Sequence, residues 1–157
     1  MRENKKGKFC YEFPRPSLTV DVALITRDEP RRVLLIRRKA DPFAGKWALP
    51  GGFVDENERL SDAARRELKE ETGVGEAELE QLYTFGDPGR DPRGWTVSVV
   101  YLARASGELK PTAGDDADEV GWFPLNATPP LAFDHALILA HVRERIMPTT
   151  SGSSPGT

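Results

Sequence analysis

Residues 51–74 read "GGFVDENERLSDAARRELKEETGV", and the second half of that stretch decides how the chain is built. Ser61 with Asp62 beside it makes a good helix start, because a hydroxyl at the N-cap and an acid in the first turn both answer the free N–H groups there. Gly73 suits the left-handed residue that closes a helix, so the stretch predicts a helix over roughly 61–72. On a wheel at ~100° per residue, Arg59, Ser61, Asp62, Arg65, Arg66, Lys69 and Thr72 fall on one side. Leu60, Ala63, Ala64 and Leu68 fall on the other, and so do Glu67, Glu70 and Glu71. The acids are therefore among the residues expected to face the protein.

Glu67 and Glu70 are three apart and Glu67 and Glu71 four apart, so like charges meet on one face. A solvated charge run is the plain account, but Lys69 is two residues from Glu67 and does not face it. The other account is a cation, since partly buried like charges are costly unless something neutralises them. Oxygen ligands without His or Cys point to Mg²⁺ or Mn²⁺ rather than zinc. The preceding "LPGGFVDENE" brings Gly51 and Gly52, whose backbone can approach a ligand closely and whose carbonyls can complete a metal shell.

On the N-terminal side, "LTVDVALIT" (18–26) puts Leu18, Val20, Val22 and Leu24 on one face of a strand. "VLLIRR" (33–38) reads as a second strand, joined to the first as a hairpin. "DPFAGKWALPGGF" (41–53), with three glycines and two prolines, reads as a loop framing a short "WAL" strand. On the C-terminal side, "ELEQLYTF" (78–85) reads as a strand, "GDPGRDPRG" (86–94) as turns and "WTVSVVYLA" (95–103) as the strongest strand of the chain. "TAGDDADE" (112–119) is an acidic loop before a short strand, "VGWFPL" (120–125), and "LAFDHALILAHVRERI" (131–146) is an amphipathic helix with a basic end. "PTTSGSSPGT" (148–157) has the composition of a disordered tail. Strands interleaved with two helices predict an α/β protein with a mixed sheet flanked by helices. The expected division is an extension over 1–16, a domain over 17–147 and the tail.

A chain of 157 residues fits one domain with a real core. With 38% hydrophobic and 30% charged residues, net charge −3 and pI about 5.5, it has no signature of a nucleic-acid surface. No apolar run reaches membrane-spanning length. The basic start "MRENKKGK" reads as solvated, and "FCYEFPRP" after it is not the apolar core of a secretory signal. Cys10 as the single cysteine excludes an internal disulfide and a thiolate metal cluster, and with no basic neighbour it is not a nucleophile. The expectation is a cytoplasmic protein that binds neither nucleic acid nor membrane. His135 and His141, six apart, share no helix face and read as incidental. Trp47, Tyr83, Phe85 and Trp95 read as core.

Gly52, five residues, Glu58, seven residues, Arg66-Glu67-Leu68, Lys69, Glu70-Glu71, Thr72 and Gly73-Val74 match the Nudix box at every fixed position. The chain thus resembles a Nudix hydrolase, closely in the box and in order of elements from about Ser17 to Ile146. The resemblance implies an α/β/α sandwich that hydrolyses a nucleoside diphosphate linked to another moiety, using divalent metal. It implies Glu67, Glu70 and Glu71 as metal ligands, with the Gly51 carbonyl added, and Glu70 counted among the catalytic groups as well. Glu58 would support the metal or its waters, and Arg66 would hold the glutamates by ion pairing. The chemistry implied is attack of an activated water on phosphorus, with cations neutralising the developing charge. The general base of such enzymes often lies outside the box, and "GDDADEV" (114–120) is the natural place. Glu119 is the expected base, with Asp115, Asp116 and Asp118 as alternatives; a solvated acidic loop is the plain account of each.

"YEFPRPSLTVDVALI", "PFAGKWALPGGFVDENE", "FGDPGRDPRGWTVSVVYLA" and "AFDHALIL" together resemble the ADP-ribose pyrophosphatase branch and its nicotinamide-related cousins. The substrate implied is ADP-ribose, split to AMP and ribose 5-phosphate. Arg90 and Arg93 in a glycine-rich turn, and Arg37 and Arg38 at a strand end, could meet a diphosphate or terminal ribose, with Gly52 close to the ligand; ordinary loop charges are the alternative. Two rival functions remain at this level: hydrolysis of oxidised nucleoside triphosphates such as 8-oxo-dGTP, and a non-catalytic sensor of ADP-ribose. The sensor fits poorly, because the chain keeps every acid of the box. The branch commonly forms homodimers, and "FCYEF" could pack on a partner or on its own sheet.

Overall fold

Strand β1 (Ser17–Thr26) explains most of the architecture, because every residue from Thr19 to Thr26 is buried and the strand is therefore covered on both faces. Val20, Val22 and Leu24 pack with Ala63, Ala64 and Leu68 of helix α1 (Leu60–Thr72). Ala23 and Ile25 pack with Ile138, Leu139 and Val142 of helix α2 (His135–Ile146). One helix on each face of a mixed sheet makes the α/β/α sandwich expected of the chain. Leu68 is 2% exposed, and truncating such a side chain to Ala costs about 2–5 kcal/mol. The computed structural model describes residues 9–106 and 109–147.

The other strands are β2 (Arg32–Arg38), β3 (Trp47–Ala48), β4 (Gly51–Phe53), β5 (Leu79–Phe85), β6 (Thr96–Ala105) and β7 (Ala117–Pro124). The order β3-β2-β1-β6-β5 carries β4 on β1 and β7 on β2 as additional pairs. β1 and β6 run parallel from Ser17↔Thr96 to Thr26↔Ala105, and the other pairs are antiparallel, including the expected β1–β2 hairpin.

Several boundaries differ from the sequence reading. Gly51–Phe53, read as loop, pairs as β4 with Thr19–Asp21; glycines give no alternation signal, so only the tertiary partner reveals the strand. β7 begins at Ala117, which puts Asp118 and Glu119 on a strand rather than in a loop. α2 begins at His135, because Leu131 bridges to Trp47 and the Ala132 N–H donates to the Trp47 carbonyl instead of joining the helix. Arg59, not Ser61, takes the N-cap position of α1, and no side chain caps it. Gly73 closes the helix in the left-handed conformation, with its N–H on the Lys69 carbonyl. Thr72, placed on the solvent side by the wheel, is fully buried; its hydroxyl donates to the Leu68 carbonyl at 2.6 Å and accepts the Val74 N–H at 3.2 Å. Of the four aromatics read as core, Phe85 is buried and Trp47 partly buried, but Tyr83 and Trp95 are exposed.

No described helix is long and apolar enough to cross a membrane. The basic start over 1–8 and the polar tail over 148–157 lie outside the described residues.

Candidate active site

Helix α1 presents two kinds of carboxylate. Arg66 is the hub of the first kind: Nε and Nη2 donate to the two oxygens of Glu58, each at 2.7 Å, and Nη2 also donates to the Phe53 carbonyl at 3.0 Å. Its Nη1 donates to Glu67 and, at 3.4 Å, to Glu70. The hydrogen bond with Glu58 is the main reason that Arg66 holds its proton more tightly than a free guanidinium, against the opposing effect of burial. Glu67 is 12% exposed and faces the protein as the wheel predicts, whereas Glu70, at 52%, stands at the rim. Arg66, assigned to the solvent side, is 17% exposed because this network draws it in.

Glu71 is the second kind. Its Oε2 accepts the Gly51 N–H at 2.8 Å, and among the described residues no Lys or Arg pairs with it. Burial pushes its carboxyl up to about 8; the Gly51 N–H opposes that, while the charges of Glu67, Asp21 and Asp116 add to it. The glycines let these groups converge. A Cβ on Gly52 would lie 2.6 Å from the Glu67 carboxyl carbon, and one on Gly51 would overlap the Val20 carbonyl and the Asp21 carboxylate.

This donor set suits a hard divalent cation: the candidate donors are all oxygens, and the half-buried Glu71 carboxylate sits among like charges. Among the described residues no three acidic, His or Cys side chains already close on one point, because Arg66 holds Glu67 and Glu70.

An open cleft beside Glu71 is lined by Asp21, Arg38, Gly51, Gly52, Arg93 and His135, with Phe53, Arg90 and Phe133 along its walls. The four arginines expected at the substrate differ in how they are held. Arg90 pairs with Asp134 through Nε and Nη2 at 2.8 and 2.7 Å and is 6% exposed. Arg93 pairs with Asp91 through Nη2 at 2.8 Å and Nε at 3.1 Å. Burial raises the Asp91 carboxyl, but the Arg93 hydrogen bonds outweigh it and leave Asp91 below the usual carboxylate range. Arg37 does not line the cleft; it faces Glu119 across β2 and β7, Nη1 to carboxylate 3.4 Å. Arg38 alone of the four has no carboxylate partner among the described residues: its Nε donates to the Pro42 carbonyl at 2.8 Å. Burial first, and the charge of Arg93 second, lower its proton affinity, while the charges of Glu71, Asp91 and Asp21 oppose them. Phe133, at a left-handed φ of 52°, presents its ring to both cations, with the Arg38 and Arg93 guanidinium carbons 4.9 and 5.1 Å from the centroid.

The acidic segment is seated on the end of α1. The Thr112 and Gly114 N–H groups donate to the Thr72 and Glu71 carbonyls at 2.8 and 3.1 Å, answering helix-end acceptors that would otherwise lack partners. A Cβ on Gly114 would overlap the Glu70 carbonyl. Of the segment's acids, Asp116 is near enough to Glu71 to raise its carboxyl, while Glu119 is 53% exposed and engaged by Arg37.

The sequence reading missed Asp21 and His135. Asp21 is an acid inside the apolar run of β1, which was a legible signal; it is 8% exposed and accepts the Ser98 hydroxyl. His135, dismissed as incidental, is 3% exposed and lines the cleft. His141 stacks on Tyr83 at 4.8 Å.

A NUDIX domain model matches residues 16–142, so the chain belongs to that family and is a Nudix pyrophosphohydrolase. Among its relatives, the ADP-ribose pyrophosphatase of Methanocaldococcus jannaschii is 46% identical over 128 residues, 81% of this chain and 73% of that protein. The ADPR responsive transcriptional repressor NtrR of Acinetobacter baylyi is 36% identical over 140 residues, 86% of this chain but 56% of the repressor. The NUDIX domain of Shewanella oneidensis NrtR, solved in complex with ADP ribose, superposes with a TM-score of 0.79 at 41% identity, covering 85% of this chain and 90% of that one.

Proposed function

We propose that this chain hydrolyses ADP-ribose to AMP and ribose 5-phosphate in a divalent-cation-dependent reaction. The observation that carries the proposal is one cleft holding a half-buried carboxylate bonded to a backbone N–H, Glu71, and a guanidinium that hydrogen-bonds no carboxylate among the described residues, Arg38, each within reach of the other's charge. A diphosphate riding on a divalent ion would give each group a direct partner of opposite charge. The 46% identity to an ADP-ribose pyrophosphatase supports the choice of ADP-ribose within that class.

Glu67, Glu70 and Glu71, with the Gly51 carbonyl, would hold Mg²⁺ or Mn²⁺, which when bound neutralises phosphate charge and acidifies water. Arg66, fixed by Glu58, holds the glutamates in register. The free terminal nitrogens of Arg38 take phosphate oxygens, with Phe133 setting the plane of the fork. Arg90 and Arg93, committed to Asp134 and Asp91, shape the wall along which the second ribose lies, and Gly52 lets the ligand approach the backbone. A carboxylate of the 115–119 segment takes the proton of the attacking water. Asp116 is favoured by its nearness to Glu71, and Glu119, held by Arg37, is the other choice. The setting we infer is cytoplasmic, and a homodimer is part of the proposal.

A second reading, ADP-ribose sensing, is favoured by the likeness to the NtrR repressor. The substrate test follows mononucleotide products by chromatography from a panel of ADP-ribose, NADH, a diadenosine polyphosphate, a nucleotide sugar and 8-oxo-dGTP. The proposal expects ADP-ribose to lead. A lead by 8-oxo-dGTP would move the chain to nucleotide-pool cleaning, and tight ADP-ribose binding without turnover would make it a sensor.

A further inference from the structure

His135 lies at the start of α2, against the turn that joins β3 to β4. Its Nδ1 accepts the Leu49 N–H at 3.0 Å inside the protein. An accepting Nδ1 carries no proton, so the neutral ring bears its hydrogen on Nε2, which faces Asp21 Oδ1 at 3.6 Å. Asp21 is held in turn by the Ser98 hydroxyl on its other oxygen. The turn is gripped at two further points: the Pro50 carbonyl accepts the Val22 N–H at 2.8 Å, and the Gly51 N–H donates to Glu71 at 2.8 Å. Three successive residues are thus tied to three elements, α2, β1 and α1, and His135 supplies the one tie made by a side chain from the far face of the sheet.

We infer that His135 is a positioning residue for the cation site. By accepting the Leu49 N–H it fixes the Leu49–Gly51 turn, and through it both the N–H that orients Glu71 and the Gly51 carbonyl offered to the cation. This inference rests on the cation reading of Glu67, Glu70 and Glu71 given above. An apolar side chain in its place would leave a buried N–H without an acceptor, and the turn would shift to find one. Asn is the conservative replacement, because its amide oxygen hangs from the γ carbon as Nδ1 does and can accept the same bond.

The test is Mn²⁺ affinity, read by electron paramagnetic resonance of the free ion with the full chain, for the wild type, H135L and H135N. H135L is expected to bind Mn²⁺ about 10–100-fold more weakly with an unchanged far-UV spectrum, and H135N to recover most of that loss. H135L binding as tightly as the wild type, or H135N losing as much as H135L, would overturn the inference. A wild type that binds no Mn²⁺ would overturn the cation reading itself, and this inference with it. Should H135L fail to fold, nitrogen NMR of the wild-type ring decides: a neutral ring protonated at Nε2 is expected, and one protonated at Nδ1 overturns the role.

Discussion

The acidic and basic walls of the cleft are built alike. On α1, Arg66 gathers Glu58, Glu67 and Glu70, and Glu71 is left to a backbone N–H. On the opposite wall, Arg90 and Arg93 each pair with a carboxylate, as Arg37 does outside the cleft, and Arg38 is left to a backbone carbonyl. Each wall spends most of its charge on its own order and leaves one group, Glu71 or Arg38, that hydrogen-bonds the backbone and feels the other's charge across the cleft. A paired charge must give up charge-assisted hydrogen bonds before it can serve a ligand, so the unpaired member should dominate binding and its neighbours should dominate stability.

The largest expected effect follows from the acidic wall. Glu71→Gln should lower kcat by about 100-fold or more while the protein stays folded, and a near-normal rate would remove Glu71 from the site. Its pH signature has a definite sign. The carboxyl holds its proton more tightly folded, at about 8, than at its ordinary 4.5, so the metal-free protein loses stability as pH rises through that window. Thermal unfolding without divalent ions should show the decline, and Glu71→Gln should flatten it.

On the basic wall, Arg38→Gln should raise KM for ADP-ribose by about 10–100-fold with a smaller change in kcat. Arg90→Gln should do the reverse. It leaves Asp134 without its bidentate partner, so denaturant titration should show a loss of about 1–3 kcal/mol while KM moves little. A larger KM effect from Arg90 than from Arg38 would invert the division between the two. The smallest effect is Ser61→Ala, expected to cost under about 0.5 kcal/mol because the hydroxyl caps nothing.

The inward turn of Glu67 and Glu71, the α1 span and the long strands were legible because each depends on neighbours within a few residues, whereas Glu70, expected inward as well, is exposed. β4 was not, since Gly51–Phe53 becomes a strand only by pairing with β1. The four arginines looked equivalent in the sequence. The partners of Arg90 and Arg37, Asp134 and Glu119, lie far along the chain, and only Asp91, two residues from Arg93, is local, so little in the sequence told Arg38 from the rest. His135 was passed over for the same reason: its acceptor role depends on Leu49, 86 residues away. Asp21 is different, because an acid within "LTVDVALIT" breaks an apolar run and could have been weighed.

The most direct measurement follows AMP as ADP-ribose is incubated with the wild-type chain, once with Mg²⁺ or Mn²⁺ and once with excess chelator. The cleft described here predicts steady AMP release with the ion and none with chelator. Release that continues undiminished in chelator would contradict the role given to Glu71 and its neighbours, and with it the account of why these carboxylates face one another.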